Sequence, residues 1–374
     1  MGKKVVNLPP FLVVNRYIME NKKLQAALEK WQKIQPLSDN DKTRLSRRFT
    51  VDFNYNSNHI EGNTLTYGQT ELLLLFGKVS GGSDFRDYEE MKASNVGLKM
   101  MTVEATDTQQ PLTQNFIRTL HKTLLREDYT VYRNLPGGVT TSYVVHAGQY
   151  KTRPNSVITR YGTRFDYASP EETPSLMTDL VDWYNQAEAE GKLSPVELAI
   201  LFHFRYIRIH PFEDGNGRIA RLMLNYILSR HGYPMVVVRS RSKKDYLEAL
   251  HQSDMIVGDG PFEGAHASLK NIRPFHKYMI NLIAKEIEND VLFVTEKKEN
   301  VWWYDGERIE FRSQNYTKIL NELQIEKHAS YLYLQEALGI NRSAIQKMLE
   351  TLQKNNYIEK DENGGWRVFI TPSI

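Results

Sequence analysis

The sequence predicts a mainly α-helical fold, interrupted by a hairpin region and followed by a small C-terminal unit of two helices and two strands. Three observations predict it. Apolar residues recur at helical spacing from Asn15 to Leu125 and again from Pro174 to Val294. Between these stretches, Asn134 to Tyr167 is rich in glycine, proline, threonine and short β-branched runs, as one or two hairpins would be. Beyond Glu310 the periodicity restarts in shorter segments separated by turn residues.

Each element has a local reason. Asn15 to Ile34 carries helical periodicity, and Pro36 ends it. Ser38-Asp39-Asn40 offers a cap for a helix reaching about Ile60, where Glu61-Gly62-Asn63 stops it. Thr66 caps a short helix through Phe76; Tyr88 to Thr106 and Thr113 to Leu125 follow. Val139 to Val145 and Asn155 to Thr159 are the strand candidates. Pro174 to Glu190 is helical, and Ser194-Pro195 starts a helix with a serine cap and proline at the first position. Arg218 to His231, Lys243 to Gln252 and Asn271 to Val294 complete the central region, and a boundary falls near Lys297 to Glu310. Then come Tyr331 to Leu338, a turn at Gly339-Ile340-Asn341, Arg342 to Asn355, and strands at Tyr357 to Glu359 and Trp366 to Ile370. That is the order of a winged helix-turn-helix. Asn341 would cap its second helix, Ile345, Met348, Leu349 and Leu352 would pack inside, and Arg342, Ser343, Gln346 and Lys347 would face DNA.

At 374 residues, two or three structural units are expected. Hydrophobic content of 41% and charged content of 25% are those of a soluble globular protein. A net charge of +3 argues against a surface devoted as a whole to nucleic acid, while leaving room for a local patch. The absence of cysteine excludes disulfides, thiolate nucleophiles and cysteine metal sites. No signal peptide and no apolar run of membrane-spanning length is read, so the expectation is a cytoplasmic protein without membrane contact.

The chemistry concentrates in HPFEDGNGRIAR, His210 to Arg221. Gly215 and Gly217 flank Asn216 just before a helical run, so successive amides can form an anion-binding nest. The helix behind adds free N–H groups and the positive end of its dipole. Arg218 and Arg221 are three apart on one face, and guanidinium forks suit phosphate oxygens. Together these describe a di- or triphosphate site. Asp214 would repel those phosphates unless a cation bridges them, which makes it the expected Mg²⁺ ligand. His210 can accept a proton from an incoming hydroxyl at neutral pH, the attacked atom being a phosphorus of the bound nucleotide. Phe212 is expected to anchor the loop in the core and Glu213 to face solvent. No lysine follows the glycines as in a Walker loop, and no second histidine at helical spacing suggests a metal-only site.

This segment resembles the signature of Fic domain proteins, HPFx[DE]GNGRxxR, at every specified position, and the resemblance extends over roughly Phe53 to Ile283. It implies a Fic-type helical core with a β-hairpin flap, and transfer of AMP from ATP to a Ser, Thr or Tyr hydroxyl of a target protein or of the chain itself. It implies His210 as the base, Asp214 as the Mg²⁺ ligand, Gly215, Asn216 and Gly217 as the anion hole, and Arg218 and Arg221 on the β- and γ-phosphates. GQYKTRPNSVITRYG, Gly148 to Gly162, resembles the flap, with Asn155, Ser156, Val157 and Ile158 positioning the target by strand addition. Lys151 stands where the family often has arginine, and the insert Gly137 to His146 lacks an obvious counterpart. SNHIEGN, Ser57 to Asn63, resembles the family's inhibitory motif. Glu61 would pair with Arg221 and deny it to the γ-phosphate, with Ser57 on the same helix face. Tyr246, in the segment resembling the adenine-pocket lining, is the candidate base contact.

The domains expected are an N-terminal helical region with the inhibitory helix (1–110), a Fic catalytic core (111–295) and a winged helix-turn-helix (296–374). The function expected is an autoinhibited protein adenylyltransferase using ATP and Mg²⁺. The alternatives are hydrolytic removal of AMP, in which Glu61 would orient a water, or a DNA-binding regulator whose Fic core senses nucleotide. A homodimer, and a DNA or protein partner for the C-terminal unit, are the further expectations.

Overall fold

The computed structural model describes residues 21–79, 83–134, 140–158, 164–326, 329–360 and 364–368. In chain order the helices and hairpins begin with α1 (Lys22–Lys33), α2 (Asp39–Ile60), α3 (Tyr67–Phe76), α4 (Phe85–Thr106) and α5 (Gln114–Leu125). Two antiparallel hairpins follow, β1 (Tyr129–Asn134) with β2 (Thr140–Val145), and β3 (Ser156–Ile158) with β4 (Arg164–Asp166). Next are α6 (Thr173–Glu190), α7 (Pro195–Ile209), α8 (Asn216–Arg230), α9 (Lys243–Val257), α10 (Pro261–Ala265) and α11 (Arg273–Thr295). The chain closes with the hairpin β5 (Val301–Tyr304) and β6 (Glu307–Glu310), then α12 (Gln314–Ile325), α13 (Tyr331–Leu338), α14 (Arg342–Lys354), β7 (Ile358–Lys360) and β8 (Trp366–Val368). The mainly helical expectation holds, with every described strand in a two-stranded sheet.

Local chemistry places the helix ends where the sequence put them. Thr66 and Gln69 form a reciprocal capping box at α3, and Ser194 and Glu197 another at α7 with Pro195 in its first turn. Several expectations shift. The region read as a boundary is the β5–β6 hairpin, because Asp305 and Gly306, both at positive φ (45° and 72°), make the tight turn that reverses an aromatic strand. β1, α12 and the short α10 were not anticipated, α9 runs on to Val257, and α8 begins at Asn216 rather than Arg218. Expected positions 15–20, 135–139, 159–163 and 369–370 lie outside the described residues.

The chain forms two compact units, each assembled from separated stretches. One comprises the described residues within 1–35, 56–62 and 92–288. Its centre is α7, which packs on α6, α8 and α10 and is buried almost all round, its polar residues Glu197, His203, Arg205 and Arg208 included. The other comprises the described residues within 36–55, 63–91 and 289–374. Here α12 packs on α3, α13, β5 and β8 over a core that includes Trp302, Leu323 and Leu349. The Arg48 guanidinium lies 4.7 Å from the Phe293 ring and 4.5 Å from that of Trp303. Asn341 caps α14 through its side chain, and Ile345, Met348, Leu349 and Leu352 are that helix's buried face, as expected.

Leu349 is fully enclosed, so Leu349→Ala should lower unfolding stability by about 2–5 kcal/mol. Denaturant unfolding followed at the Trp302 and Trp366 signals checks this; a loss well under 1 kcal/mol would contradict the packing described.

Candidate active site

The end of α7 and the start of α8 bring the motif together. His210 closes α7 as its C-cap in the left-handed region (φ 51°, ψ 60°), a conformation that costs a non-glycine residue about 1–2 kcal/mol. Its ring stacks on Tyr167, with centroids 3.9 Å apart and planes at 11°. Burial, aided by the Lys151 charge, pulls the His210 imidazole down to about 3, so it is neutral at physiological pH. Its ring is hydrogen-bonded by the Ile207 backbone one turn earlier in α7, which works against the lowering.

The loop that follows is built from inside. Phe212 is fully buried, and its ring stacks on His121 at 3.7 Å and 4°. Asn216 turns back on the loop, accepting from the Phe212 N–H at 3.0 Å and donating to the Phe212 carbonyl at 2.7 Å. The Asn216 side chain therefore shapes the loop, and only its backbone remains to meet a ligand. His121 ties the loop to the flap base: its Nδ1 accepts from the Gly148 N–H at 2.8 Å, so Nε2–H donates to the Asp214 carbonyl at 2.9 Å. Glu213, expected in solvent, is half-buried because it accepts from the Thr152 hydroxyl at 3.1 Å.

Lys151 is buried at 3% exposure. Its ammonium donates to Asn155 Oδ1 at 2.8 Å, the His210 carbonyl at 2.9 Å and the Ile209 carbonyl at 3.1 Å. Its own N–H donates to the Pro211 carbonyl at 2.9 Å. Asn155 also donates to the Phe212 carbonyl at 3.0 Å, so its side chain serves the loop. Ser156, Val157 and Ile158 form β3, paired on one edge with β4.

Asp214 receives the Tyr129 hydroxyl at 2.5 Å and the Gly215 N–H at 2.6 Å, with an Arg218 Nη2 at 3.5 Å. Burial pushes its carboxyl up, but Arg218 and these donors outweigh burial and hold it below the usual carboxylate range. The result is a charged carboxylate with a side chain 44% exposed. One ionised carboxylate beside a glycine-rich helix start is a donor that would suit Mg²⁺ if phosphate oxygens supplied the other ligands.

At α8, Gly215 takes the left-handed angles (φ 76°) that open the first turn. A Cβ on Gly217 would lie 2.4 Å from Glu61 Oε1 and 3.0 Å from an Arg221 nitrogen. The Glu61 carboxylate thus lies against the helix start, where free N–H groups and the dipole favour an anion. Arg221 Nη2 donates to Glu61 Oε1 at 2.7 Å and to the Ser57 carbonyl at 2.8 Å, and Nε donates to Ser57 Oγ at 3.0 Å. Burial raises the Glu61 carboxyl, but the charge and hydrogen bond of Arg221 prevail and keep it ionised. The end of α2 is held in turn by Lys243, which donates to the Ile60 carbonyl at 2.6 Å, and by the Ser240 N–H on Asn56 Oδ1 at 2.7 Å. Arg218 is buried, and its Nε has no partner. A buried guanidinium nitrogen left unpaired beside a helix N-terminus fits an incoming anion.

Tyr246 is enclosed (2% exposed), with its hydroxyl 2.7 Å from His203 Nε2 and its ring near Phe275. That hydroxyl supports Arg221 from behind. His121, Tyr129, His203 and Lys243 escaped the sequence reading. Each is a lone polar residue whose partner is far along the chain, 93 positions for His121 and Asp214, so no local pattern marks it.

A family model described as the Fic/DOC family matches residues 111–228. The structure of a Fic domain containing signaling protein from Bacteroides thetaiotaomicron is 50% identical, with a TM-score of 0.68, covering 74% of this chain and 98% of that one. A Fic family protein from Desulfovibrio desulfuricans, 19% identical, shares the fold over 98% of this chain and 100% of that one at a TM-score of 0.56. Protein adenylyltransferase fic-1 of Caenorhabditis elegans is 28% identical over 259 residues, 69% of this chain and 44% of that protein. Protein adenylyltransferase Fic of Nematostella vectensis is 28% identical over 234 residues, 63% and 47% respectively. The matched region thus spans less than half the length of these curated relatives.

His203 is fully buried and held neutral, burial lowering it from 6.5 to about 3. Between those values the unfolded chain binds a proton that the folded chain refuses, so stability is lost as pH falls through the window. His203→Gln keeps both hydrogen-bonding roles and should shrink the loss between pH 6 and pH 4 by up to about 1.4 kcal/mol per pH unit. Denaturant unfolding across that range measures it, and an unchanged slope would contradict the neutral assignment.

Proposed function

The chain belongs to the Fic/DOC family, and from that premise we propose that it is a nucleotidyltransferase moving AMP from ATP to a protein hydroxyl, held in check by Glu61. The observation that carries this reading is the Glu61 carboxylate against the first turn of α8, bonded to Arg221 at 2.7 Å beside a neutral His210. A carboxylate in that position mimics the terminal phosphate it would exclude.

In the transfer, the neutral imidazole of His210 accepts the proton of the target hydroxyl. The hydroxyl oxygen bonds to the α-phosphorus, the bond from that phosphorus to the bridging oxygen breaks, and pyrophosphate leaves. Backbone N–H groups at Asn216 and Gly217 and the free Arg218 Nε would meet the phosphate charge, the Gly215 N–H being held by Asp214. Asp214 would hold a Mg²⁺ ion, which when bound neutralises charge on the phosphates. Arg221, once released from Ser57 and Glu61, would take the γ-phosphate. β3 offers backbone for strand addition by the target. The C-terminal α13, α14, β7 and β8 are read as a winged helix-turn-helix serving a partner.

The test is intact mass of the purified chain and its Glu61→Gly variant after incubation with ATP and Mg²⁺. Losing one charge-assisted hydrogen bond at Arg221 should raise AMP incorporation by about 10–100-fold. Equal incorporation in both forms would remove Glu61 from the inhibitory role, and none in either would remove the transferase reading. In the Glu61→Gly chain, a further His210→Ala should lower the transfer rate by about 10²–10⁴-fold without changing the melting temperature by more than a few degrees. Persistent transfer would exclude His210 as the base.

A further inference from the structure

We propose that Lys151 is a positioning residue for the reaction, fixing the strained backbone of His210 and keeping its imidazole able to accept a proton. This rests on the transferase reading above.

An ammonium has three N–H bonds, and Lys151 places them on three acceptors: Asn155 Oδ1, the Ile209 carbonyl and the His210 carbonyl. Nothing is left over for a ligand, so the group is structural in its contacts. What it holds is the reacting end of α7. The last carbonyls of a helix lack intrahelical partners, and a cation there also suits the negative end of the dipole. Here those carbonyls flank the one residue of the motif held at left-handed angles without being glycine. A residue in that conformation persists only where its surroundings over-determine it. Lys151 supplies that restraint from 59 positions away, with its own N–H on Pro211 and its neighbour Thr152 on Glu213 completing a clamp along the loop.

The charge has a second consequence. Lys151 disfavours a proton on His210, in the same direction as burial. A base that stays neutral can act; one already protonated cannot. Burial also lowers Lys151 itself to about 7, opposed by Glu172 at the start of α6. The other ionisable groups nearby are His210 on α7, Glu213 on the loop, and Tyr150 and Arg153 beside Lys151 in sequence. On losing its proton Lys151 keeps only two N–H bonds for three acceptors. One restraint on the α7 end then lapses as pH rises through about 7, while the fold as a whole gains stability from there up to the unfolded lysine's value, because over that range the unfolded chain holds a proton that the folded chain does not.

The experiment uses the full chain carrying Glu61→Gly, with Lys151, Lys151→Arg or Lys151→Met, and reads transfer rate against pH from 6 to 9. With Lys151 the rate should fall on the alkaline side near pH 7. With Lys151→Arg, always charged, it should hold to higher pH at comparable kcat. With Lys151→Met, kcat should drop about 10–100-fold while KM for ATP stays within about twofold. Histidine NMR in the same chains reads the His210 imidazole directly, and its pKa should rise in Lys151→Met. Unchanged kcat and an unchanged His210 titration in Lys151→Met would overturn the proposal. Should Lys151→Met not fold, an alkaline limb identical in the Lys151 and Lys151→Arg chains would overturn it. Absence of transfer in the Glu61→Gly chain itself would instead count against the transferase reading, and the His210 titration would still decide the role of Lys151.

Discussion

Everything at this site turns on the first turn of α8, where free backbone N–H groups, a helix dipole and two arginines converge on a small volume. Such a concentration of positive potential cannot stay uncompensated in a buried setting. The protein compensates it unevenly. Arg221 is satisfied three times over by Ser57 and Glu61, whereas Arg218 has Asp214 at the long distance of 3.5 Å and a nitrogen with no partner. The satisfied arginine is the one that the proposed inhibition engages, and the unsatisfied one is ready for an anion.

Around that turn the side chains divide into those that meet a ligand and those that hold the loop. Asn216, Phe212 and Asn155 belong to the second group: their polar atoms or rings are already spent on the loop itself. His121 and Lys151 join them, one bridging the flap base to Asp214 and the other gripping the end of α7. The chemistry proposed for His210 needs only one imidazole, but keeping that imidazole neutral and aimed takes Tyr167, Lys151 and a buried setting.

The C-terminal region presents a different physical problem. It is a small body whose core rests on Trp302, Trp366 and the apolar stripe of α14. Its hairpin β5–β6 turns on Asp305-Gly306, a signal present in the sequence but obscured there by charged neighbours. The aromatic alternation and the turn dipeptide together outweigh the local polarity.

By itself the sequence determined the helical periodicities, the caps at Thr66, Ser194 and Asn341, and the residues of the motif, because each depends on neighbours within one or two turns. It also made Glu61 and Arg221 visible as a charge pair, through a resemblance. What only the tertiary structure decided is which polar atoms are free. Glu213 accepts from Thr152, Tyr246 is enclosed against His203, and Lys151 reaches His210 across the fold. Spacing along the chain fixes which residues share a face; burial and the three-dimensional supply of donors and acceptors fix what each can still do.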